Sequence, residues 1–489
     1  MKEKFYITTT LPYINDAPHI GFALEIIQAD VLARHARANG KDTYFLTGTD
    51  EHGTKIQKTA AQKETTPKKL ADINSKKFKD LKKALNLSWD QFIRTTDQKI
   101  HWPGVDKIWK ELETSGDIYK RTYRGLYCSG CEMFLNDKDI VDGKCAIHHK
   151  EPELIEEENY FFRLSAYSKT LRKKIEDKEL VIVPEWRSKE IVSLMEKGLE
   201  DVSFSRPKEK LNWGIPVPGD NSQTIYVWAD ALTNYISAIG YGRDEENFSK
   251  WWPADVQVLG KDVLRFHAAI WPAMLLSAKL SLPKKMFVHG FINVDGQKMS
   301  KSIGNVISPY DLVEKYGTDA VRYYFLREMS SFDDGDYSET KFRDRYNGDL
   351  AHGLGNFAAR VVGLASKLNS PIKSDFKSMD LLLEQKIKST QKVIDDNLAD
   401  FRFNDAIASI WELISFGDVY INDKKPWSKE LSDTQKEITL FNALVLLNSI
   451  GVLISPFLPD TSKAITKAIS LKGKYVQLKE IPKLFPLLE

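Results

Sequence analysis

The sequence predicts an α/β protein: a parallel sheet with connecting helices, an inserted segment, and a helical bundle at the end. Three observations predict this class. Strand, helix and strand signals alternate over residues 5–47, the same alternation resumes after about residue 222, and long amphipathic stretches follow residue 342 without further strand signal. The 489 residues are too many for one ordinary core, so three or more folding units are expected.

The first elements are predicted as a strand over residues 5–10, a helix over 20–38 and a second strand over 42–47. A turn rich in Pro, Asn and Asp separates the first strand from the helix. The helix is predicted because apolar residues recur at helical spacing, through Leu24, Ile27, Val31 and Leu32. Strand, helix and strand in this order form a parallel βαβ unit, whose ligands gather at the carboxyl ends of the strands. His19 and Asp50 fall at such ends.

Two short segments supply groups that suit a nucleotide phosphate. Pro18-His19-Ile20-Gly21 follows the first strand, and Lys298-Met299-Ser300-Lys301-Ser302 lies much later in the chain. Hydrogen-bond donors beside glycine or small residues hold a triphosphate and stabilise charge that develops on it, so the two segments are predicted to form one nucleotide-activating site. Taken alone, a histidine such as His19 more often caps a helix or lies in a core, and lysines are more often solvated.

All three cysteines of the chain lie close together in the insertion. Cys128 and Cys131 form a Cys-x-x-Cys pair, and Cys145 with His148 forms a Cys-x-x-His pair. This spacing is typical of a tetrahedral zinc knuckle, and four ligands close the coordination sphere, so the zinc is predicted to be structural. The alternative is that these are ordinary reduced thiols. His149 is an alternative fourth ligand, although the two-residue spacer favours His148.

After the insertion the α/β pattern is predicted to resume. Strands are predicted over 224–228, 256–259 and 286–289, with helices through Leu232, Tyr235, Ile270 and Leu275 between them. Residues 381–394 and 441–454 predict helices of a bundle with short loops.

The charge balance and the amino-terminal sequence restrict the partners and the cellular location that are expected. The 70 Lys and Arg residues balance 68 Asp and Glu residues, so the total charge gives no sign of nucleic-acid binding and RNA contacts must be local. The amino terminus shows neither an apolar signal region nor an Arg-rich leader. No apolar run reaches the roughly 18 residues that span a bilayer. A soluble, cytoplasmic protein without membrane association is therefore expected.

The motifs together resemble the class I aminoacyl-tRNA synthetases, and among them the methionyl-tRNA synthetases. The resemblance covers nearly the whole chain. It rests on the order of segments 11–15, 19–21, 48–53, 226–230, 260–262, 266–267 and 298–302, with one zinc knuckle and a final helical domain. One departure is Phe22, which stands where the family commonly has a second histidine; packing or another group must supply that contact.

The resemblance implies a domain organisation. A Rossmann-type catalytic domain covers residues 1–115 and 222–290, and the zinc-knuckle insertion covers 116–221. Residues 291–345 carry the lysine motif and lead to the bundle. An all-α anticodon-binding domain covers residues 346–489.

The resemblance also implies the reaction and its nucleotide site. Methionine and ATP, accompanied by Mg²⁺, give methionyl-adenylate, and the methionyl group then passes to the terminal ribose of tRNA(Met). His19, Gly21, Lys298 and Lys301 are the expected catalytic residues. ATP is expected to contact these four together with Gly260, Asp262 and Val288.

A narrow aromatic slot suits methionine, which is unbranched and flexible. The family positions are Leu11, Tyr13, Asp50, Trp228, Ala231, Leu232, Tyr235, Val263 and His267, with Asp50 paired to the substrate ammonium. By spacing alone, Trp228 and Tyr235 also fit an ordinary core stripe, and an Asp in such a turn is more often turn chemistry. The resemblance favours the pocket.

The resemblance places the anticodon contacts at Asn356, Arg360 and Trp427. Asn356 and Arg360 are four residues apart and share a helical face. Specific RNA recognition uses aromatic stacking and contacts to base edges, which these residue types supply. A monomer is expected, since the chain lacks the additional tRNA-binding domain with which dimers of relatives are associated.

Two alternatives remain at this point. One is a class I synthetase for another apolar or sulfur-containing amino acid. The other is a non-catalytic RNA-binding or metal-binding protein that keeps the architecture without the chemistry. The grouping of all three cysteines in one knuckle argues against a cysteine enzyme, and the absence of a large editing insertion argues against the valine, isoleucine and leucine enzymes.

Overall fold

The chain folds into two compact units made from interleaved segments. The computed structural model describes residues 2–131, 133–135, 137–147, 149–300, 304–368 and 370–489. The first unit comprises Met1–Pro18, Ala36–Lys82 and Ser88–His289. The second unit comprises His19–His35, Lys83–Leu87 and Gly290–Glu489. The segment that begins at His19 therefore belongs to the same unit as the lysine motif.

The strands of the first unit include those predicted from the sequence and a set within the insertion. In chain order they are β1 (Lys4–Thr9), β2 (Asp42–Thr49), β3 (Gln91–Arg94), β4 (Ile118–Cys128), β5 (Met133–Leu135), β6 (Ile140–Val141), β7 (Lys144–Cys145), β8 (Glu153–Phe162), β9 (Val181–Val183), β10 (Val202–Ser203), β11 (Ser205–Pro207), β12 (Pro216–Val217), β13 (Asp220–Ile225), β14 (Val256–Gly260) and β15 (Lys285–His289).

Six of these strands form the main sheet, in the order β3–β2–β1–β14–β15–β9, and all neighbours are parallel. Their buried apolar residues explain why they lie in the centre of a parallel sheet; Ile7, for example, lies between Phe45 and Val256. The predicted Rossmann-type parallel sheet is thus confirmed. β9 comes from the predicted insertion, which adds an edge strand to this sheet.

One predicted strand is wrong in its extent. The sequence predicts a strand over residues 224–228, but β13 ends at Ile225 and pairs with β11 and β12 in a separate antiparallel sheet. A helix begins at Val227, and the Asp230 N–H donates to the Tyr226 carbonyl at 3.1 Å. The aromatic and β-branched residues suggest a strand, whereas the following Ala, Asp, Ala and Leu favour a helical turn.

Apart from β9 and its helices, the insertion forms small antiparallel sheets. One has the order β10–β8–β4–β5, and the two short strands β6 and β7 form a hairpin that ends at Cys145. The sequence prediction of a change in character here agrees with this switch from parallel to antiparallel pairing.

The helices that begin before His289 are α1 (Ile20–Ala38), α2 (Thr54–Gln62), α3 (Pro67–Ala84), α4 (Trp102–Thr114), α5 (Ser168–Glu176), α6 (Glu185–Glu196), α7 (Val227–Leu232), α8 (Asn234–Ser237), α9 (Glu245–Trp251) and α10 (Trp271–Ser277). A π-helical segment, Phe266–Ile270, precedes α10. The core of the first unit includes residues of β1, β2, α4, α7, α8 and α10, with Trp109 and Trp271 among its largest fully buried side chains.

The second unit is mainly helical after Gly290. Its helices are α11 (Pro309–Tyr316), α12 (Thr318–Arg327), α13 (Glu339–Arg345), α14 (Asn356–Ser366), α15 (Leu381–Ala399), α16 (Phe403–Lys424), α17 (Asp433–Leu453) and α18 (Pro459–Ala468). Short strands β16 (Ile292–Val294), β17 (Gln297–Lys298), β18 (Gly335–Tyr337), β19 (Ile469–Ser470) and β20 (Gln477–Leu478) complete it. The predicted helical bundle is confirmed.

Among the described residues, α17 is the one helix long and apolar enough to span a membrane by composition. It is a core helix instead, since 67% of its apolar window is buried within the protein. Its start carries a capping box, in which Ser432 and Gln435 satisfy each other's backbone N–H groups.

A fully buried arginine holds several segments of the second unit together. Arg322 of α12 forms an ion pair with Asp30 of α1 at 2.9 Å. Its guanidinium also donates to the carbonyls of Leu85 at 3.1 Å, Pro456 at 2.8 Å and Phe457 at 2.7 Å. Because a buried charge is tolerated only when it is paired and hydrogen-bonded, this set of acceptors accounts for the arginine's position.

Candidate active site

The carboxyl ends of β1, β2 and β14 bring candidate residues together in the first unit. The Asp50 N–H donates to the Pro12 carbonyl at 3.1 Å, and the Ile14 N–H donates to the Asp50 carbonyl at 3.3 Å. Tyr13 and Asp50 therefore form a bridge beyond the ends of β1 and β2. Gly260 ends the adjacent strand β14. Ligands of open parallel sheets bind beyond such ends, so this edge is the candidate site.

Aromatic side chains form a wall beside this edge. The Trp228 and Phe266 rings stack with centroids 3.8 Å apart and planes 7° apart. Tyr13 meets Trp228 edge to face, with centroids 6.5 Å apart, and His267 does so at 6.3 Å. Ala231 and Leu232 of α7 are buried, and Leu11 packs against the same core. The structure thus brings most of the predicted methionine-pocket residues into one cluster.

A hydrogen-bonded pair orients the histidine of this cluster. The Tyr235 hydroxyl lies 2.7 Å from His267 Nε2, and His267 Nδ1 lies 2.9 Å from the Val263 carbonyl oxygen. A carbonyl only accepts, so Nδ1 carries a hydrogen and, in the neutral ring, Nε2 accepts from the tyrosine. Val263 contributes its backbone to this arrangement.

Gly260 and Asp262 lie close together at the end of β14. A Cβ atom added at Gly260 would lie 2.8 Å from Asp262 Oδ1 and 3.6 Å from His289 Cε1. The absence of a side chain at Gly260 leaves room beside a carboxylate, which suits a sugar hydroxyl. Val288 is a fully buried residue of the neighbouring strand β15.

In the second unit, the segment at the start of α1 contacts the segment that carries the lysine motif. The Ile20 N–H donates to the Ile307 carbonyl at 3.1 Å. A Cβ added at Gly21 would lie 3.7 Å from Met299 Cε. The two segments that the sequence predicts to form one nucleotide-activating site are therefore neighbours.

The imidazole of His19 is oriented by its own helix start. Its Nδ1 accepts from the Gly21 N–H at 3.1 Å, and a Cβ at Gly21 would lie 2.9 Å from the His19 ring. With Nδ1 as acceptor, the neutral ring carries its hydrogen on Nε2, which can donate to a phosphate oxygen. His19 is exposed, whereas Phe22, at the position of the family's usual second histidine, is buried.

The lysine motif is described in part. Lys298 is exposed on the short strand β17, with its Nζ 5.4 Å from the centre of the Phe291 ring. The Ser300 N–H donates to Asn305 Oδ1 at 2.8 Å. Lys301 lies outside the described residues.

The cysteine cluster has the geometry of a metal site. The Sγ atoms of Cys128, Cys131 and Cys145 lie within 4.8 Å of one another, and those of Cys131 and Cys145 are 3.6 Å apart. Tetrahedral thiolates at about 2.3 Å from zinc are separated by similar distances. Burial and the neighbouring thiols raise the pKa of Cys131, so a nearby cation is needed to hold this residue as a thiolate. His148 lies outside the described residues; His149 is exposed.

The candidate RNA-binding residues lie on the bundle. Arg360 of α14 lies 5.1 Å over the Trp427 ring. Its guanidinium donates to Asn422 Oδ1 at 2.5 Å and lies 3.6 Å from Asp418 Oδ1. Asn356 lies one turn before Arg360 on α14. The exposed fraction of Trp427 is 49%, so its ring is available to a partner.

Sequence reasoning assigned no role to several residues that the structure places in these clusters. Phe266 covers Trp228, and His289 lies beside Gly260. Met299 lies against the start of α1, and Asn422 and Asp418 hold Arg360. The sequence could have indicated Phe266, Met299 and His289, because they lie within or next to motif residues. It does not indicate Asn422 and Asp418, because their partner Arg360 is distant in sequence.

The fold and the matching family models place the chain among the class I aminoacyl-tRNA synthetases. Residues 5–145 and 136–362 match the family described as tRNA synthetases class I (M), and residues 380–488 match the anticodon-binding domain of tRNA ligases.

Known proteins identify the subgroup. The methionine–tRNA ligase of Thermotoga maritima is 42% identical over 96% of this chain and 76% of that relative. The methionine–tRNA ligase of Brucella suis is 39% identical over 98% of this chain and 94% of its own length. The Mycobacterium tuberculosis methionyl-tRNA synthetase in complex with methionyl-adenylate superposes with a TM-score of 0.93 at 35% identity, covering 99% of this chain and 100% of that one. The chain belongs to the methionyl-tRNA synthetase family.

Proposed function

We propose that the chain is a methionine–tRNA ligase that works through the residues described above. The observation that carries this assignment is the cluster at the carboxyl ends of β1, β2 and β14, where Asp50 lies beside an aromatic wall and Gly260 lies beside Asp262. An anionic group, an apolar slot and a sugar-binding carboxylate at one sheet edge suit an amino acid and a nucleoside together.

Methionine binds in the first unit. The Asp50 carboxylate, only 3% exposed, pairs with the substrate ammonium. Trp228, Tyr13 and the Tyr235–His267 pair surround the side chain, while Leu11, Ala231, Leu232 and Val263 complete the apolar lining. An aromatic slot suits an unbranched, polarisable thioether.

ATP binds through Gly260, Asp262 and Val288 at the adenosine and through His19, Gly21, Lys298 and Lys301 at the phosphates. A methionine carboxylate oxygen attacks the α-phosphorus, and the bond to the pyrophosphate oxygen breaks. His19 Nε2 donates to a phosphate oxygen at the start of α1, where the positive end of the helix dipole adds favourable potential. The two lysines stabilise the negative charge on the departing pyrophosphate. Mg²⁺, when bound with ATP, neutralises part of the phosphate charge.

In the second step, the terminal ribose hydroxyl of tRNA(Met) attacks the methionyl carbonyl and AMP leaves. The anticodon contacts Asn356, Arg360 and Trp427. Trp427 offers a stacking surface, and Arg360 offers donors to a base edge. The chain acts as a monomer in the cytoplasm, with a catalytic domain over residues 1–115 and 222–290, the insertion over 116–221, and the anticodon-binding domain over 346–489.

The activity is tested by pyrophosphate exchange with each of the twenty amino acids. Exchange that depends on methionine supports the assignment. Exchange with a different amino acid would mean another synthetase, and no exchange with any would mean a binding protein.

One structural Zn²⁺ binds to Cys128, Cys131, Cys145 and His148. We expect Cys145→Ala to lose stoichiometric zinc, measured by mass spectrometry of the purified protein, and to lower the melting temperature because the site contributes to folding. His149→Ala is the matched control and keeps its zinc. Loss of zinc in His149→Ala would make that residue the fourth ligand instead.

A further inference from the structure

A fully buried carboxylate lies on the helix that carries part of the candidate methionine pocket. Asp230 of α7 is 0% exposed. Its Oδ2 accepts from His52 Nδ1 at 2.6 Å, and its Oδ1 accepts from His101 Nε2 at 2.7 Å. Both imidazoles are themselves buried. The proposed pocket and the proposed nucleotide site do not use any of these three side chains.

The protonation of this cluster follows from its contacts. Burial alone would raise the pKa of Asp230, but the two histidines outweigh it, so the pKa of this carboxyl lies below its ordinary value. An ionised carboxylate only accepts hydrogen bonds, so both imidazoles donate to it. Hydrogen bonds to a charged acceptor are shorter and stronger than neutral ones, and both distances agree with this.

The cluster joins three segments that are far apart in sequence. His52 follows the proposed ammonium ligand Asp50 by two residues, and Asp230 follows the aromatic wall residue Trp228 by two. His101 immediately precedes α4, and its Nδ1 lies 2.8 Å from Ser237 Oγ of α8. The carboxylate is therefore a direct link between the loop that carries Asp50 and the helix that carries Trp228, Ala231 and Leu232.

The loop that carries Asp50 is also attached on its other side, to the insertion. The Trp213 Nε1–H donates to the Glu51 carbonyl at 2.5 Å, and the Gly53 N–H donates to the Trp213 carbonyl at 3.2 Å. These bonds hold the backbone on the side of the insertion. The His52–Asp230 bond joins the same loop to α7 through side chains, so it bears on the position of the loop relative to that helix.

We propose that Asp230 is a positioning residue of the methionine pocket, which sets the distance between Asp50 and the aromatic wall through His52 and His101. This inference rests on the proposed function, because Asp50 and Trp228 are assigned to methionine there. One segment binds the ammonium of methionine and another binds its side chain, so the affinity for methionine depends on the spacing of the two segments. ATP does not contact either segment in the proposed arrangement.

The test is Asp230→Asn, which keeps the volume but cannot accept from both imidazoles in their present tautomers. We expect the KM for methionine in pyrophosphate exchange to rise roughly tenfold or more, the effect of one lost hydrogen bond to a charged group, while the KM for ATP stays within about twofold. Asp117→Asn is the matched control. Asp117 is a buried carboxylate of the same unit that accepts from Tyr167 Oη at 2.5 Å and Ser277 Oγ at 2.6 Å. It should lower the melting temperature without changing the KM for methionine.

A second pair of variants keeps the test decisive if Asp230→Asn fails to fold. In His101→Gln, the side-chain amide can donate to Asp230 in place of Nε2, so the KM for methionine should stay close to that of the unaltered protein. His101→Leu removes the donor and should raise it. Equal changes in the KM values for methionine and ATP, or an unchanged KM for methionine in both Asp230→Asn and His101→Leu, would overturn the proposal. If the unaltered protein shows no methionine-dependent pyrophosphate exchange, the proposed function itself is overturned.

Discussion

The candidate methionine pocket and the candidate RNA-binding surface are built in opposite ways. In the pocket, Asp50 is buried, and His267 has a partner on each ring nitrogen. On the bundle, Trp427 is about half exposed, and Arg360 is held from one side by Asn422 and Asp418. A small flexible substrate gives few contacts, so its selection requires a site that is already ordered, whereas a large RNA can complete an open surface by its own stacking.

The largest effect should follow from the loss of the pocket's charge. Asp50→Asn removes the proposed partner of the substrate ammonium, and truncating one member of a buried charge pair costs about 2–5 kcal/mol, so kcat/KM for methionine should fall by roughly 30-fold or more. Pyrophosphate exchange measures this. Asp42→Asn, at the opposite end of β2, is the control and should leave the rate unchanged. Nearly normal exchange in Asp50→Asn would mean that another group binds the ammonium.

A smaller effect, confined to the tRNA step, should follow from a change on the bundle. Trp427→Ala removes a stacking surface worth about 1–3 kcal/mol, so kcat/KM for tRNA charging should fall roughly 5- to 150-fold while pyrophosphate exchange stays normal. Trp186→Ala is a matched control, because Trp186 is 48% exposed and lies in the first unit. The comparison between the two regions fails if Trp427→Ala slows exchange as much as charging.

A still smaller effect should follow from removal of one neutral hydrogen bond in the pocket. Tyr235→Phe deletes the donor to His267 Nε2 and should cost about 1 kcal/mol, which corresponds to a KM for methionine raised about fivefold. Tyr119→Phe, which loses its hydrogen bond to Asp201, is the control in the same unit. If both variants raise the KM for methionine equally, the ordering of His267 is not what selects the substrate.

The smallest effect concerns the stability of the open surface. Burial raises the pKa of Asp418, and Arg360 offsets this only in part, so ionisation of this carboxyl opposes folding. With the folded-state pKa above the ordinary 3.8, its contribution to stability is fully present below that pH and declines as the pH rises. Asp418→Asn should therefore raise the free energy of unfolding above that of the unaltered protein at pH 7, and by less at pH 4. The difference should stay below about 1 kcal/mol, because the pair is partly exposed.

Chemical denaturation at the two pH values tests this prediction. A loss of stability at pH 7 in Asp418→Asn would show that the ion pair with Arg360 outweighs the burial of the carboxylate. Asp405→Asn, in the first turn of α16, serves as a control on the same helix.

The sequence predicts well the parts of the structure that depend on local pattern. The helix over 20–38 has those bounds in the structure, because its apolar spacing is regular and Asn39 and Gly40 end it. The pattern at the start of α7 predicts a strand instead, because Ile225, Tyr226 and Val227 share strand propensity. The packing of Asp230 against two histidines is a tertiary contact that favours the helix there.

The site is predictable where motifs carry it and is missed where tertiary contacts create it. Asp50, His267 and the cysteines are predicted from segments with a recognisable order. Phe266 stacks on Trp228, and Asp418 forms an ion pair with Arg360. The residues of each pair are far apart in the chain, so no local pattern predicts that they are in contact.

The buried Arg322 has a consequence for how the chain can be shortened. It takes acceptors from Asp30 near the beginning and from Pro456 and Phe457 near the end, so a truncated chain without the bundle would leave the guanidinium short of two partners. The helix that starts beside His19 would then lose part of its anchor. Deletion of the bundle should for this reason lower adenylate formation as well as tRNA charging, because the start of α1 depends on partners that the bundle supplies.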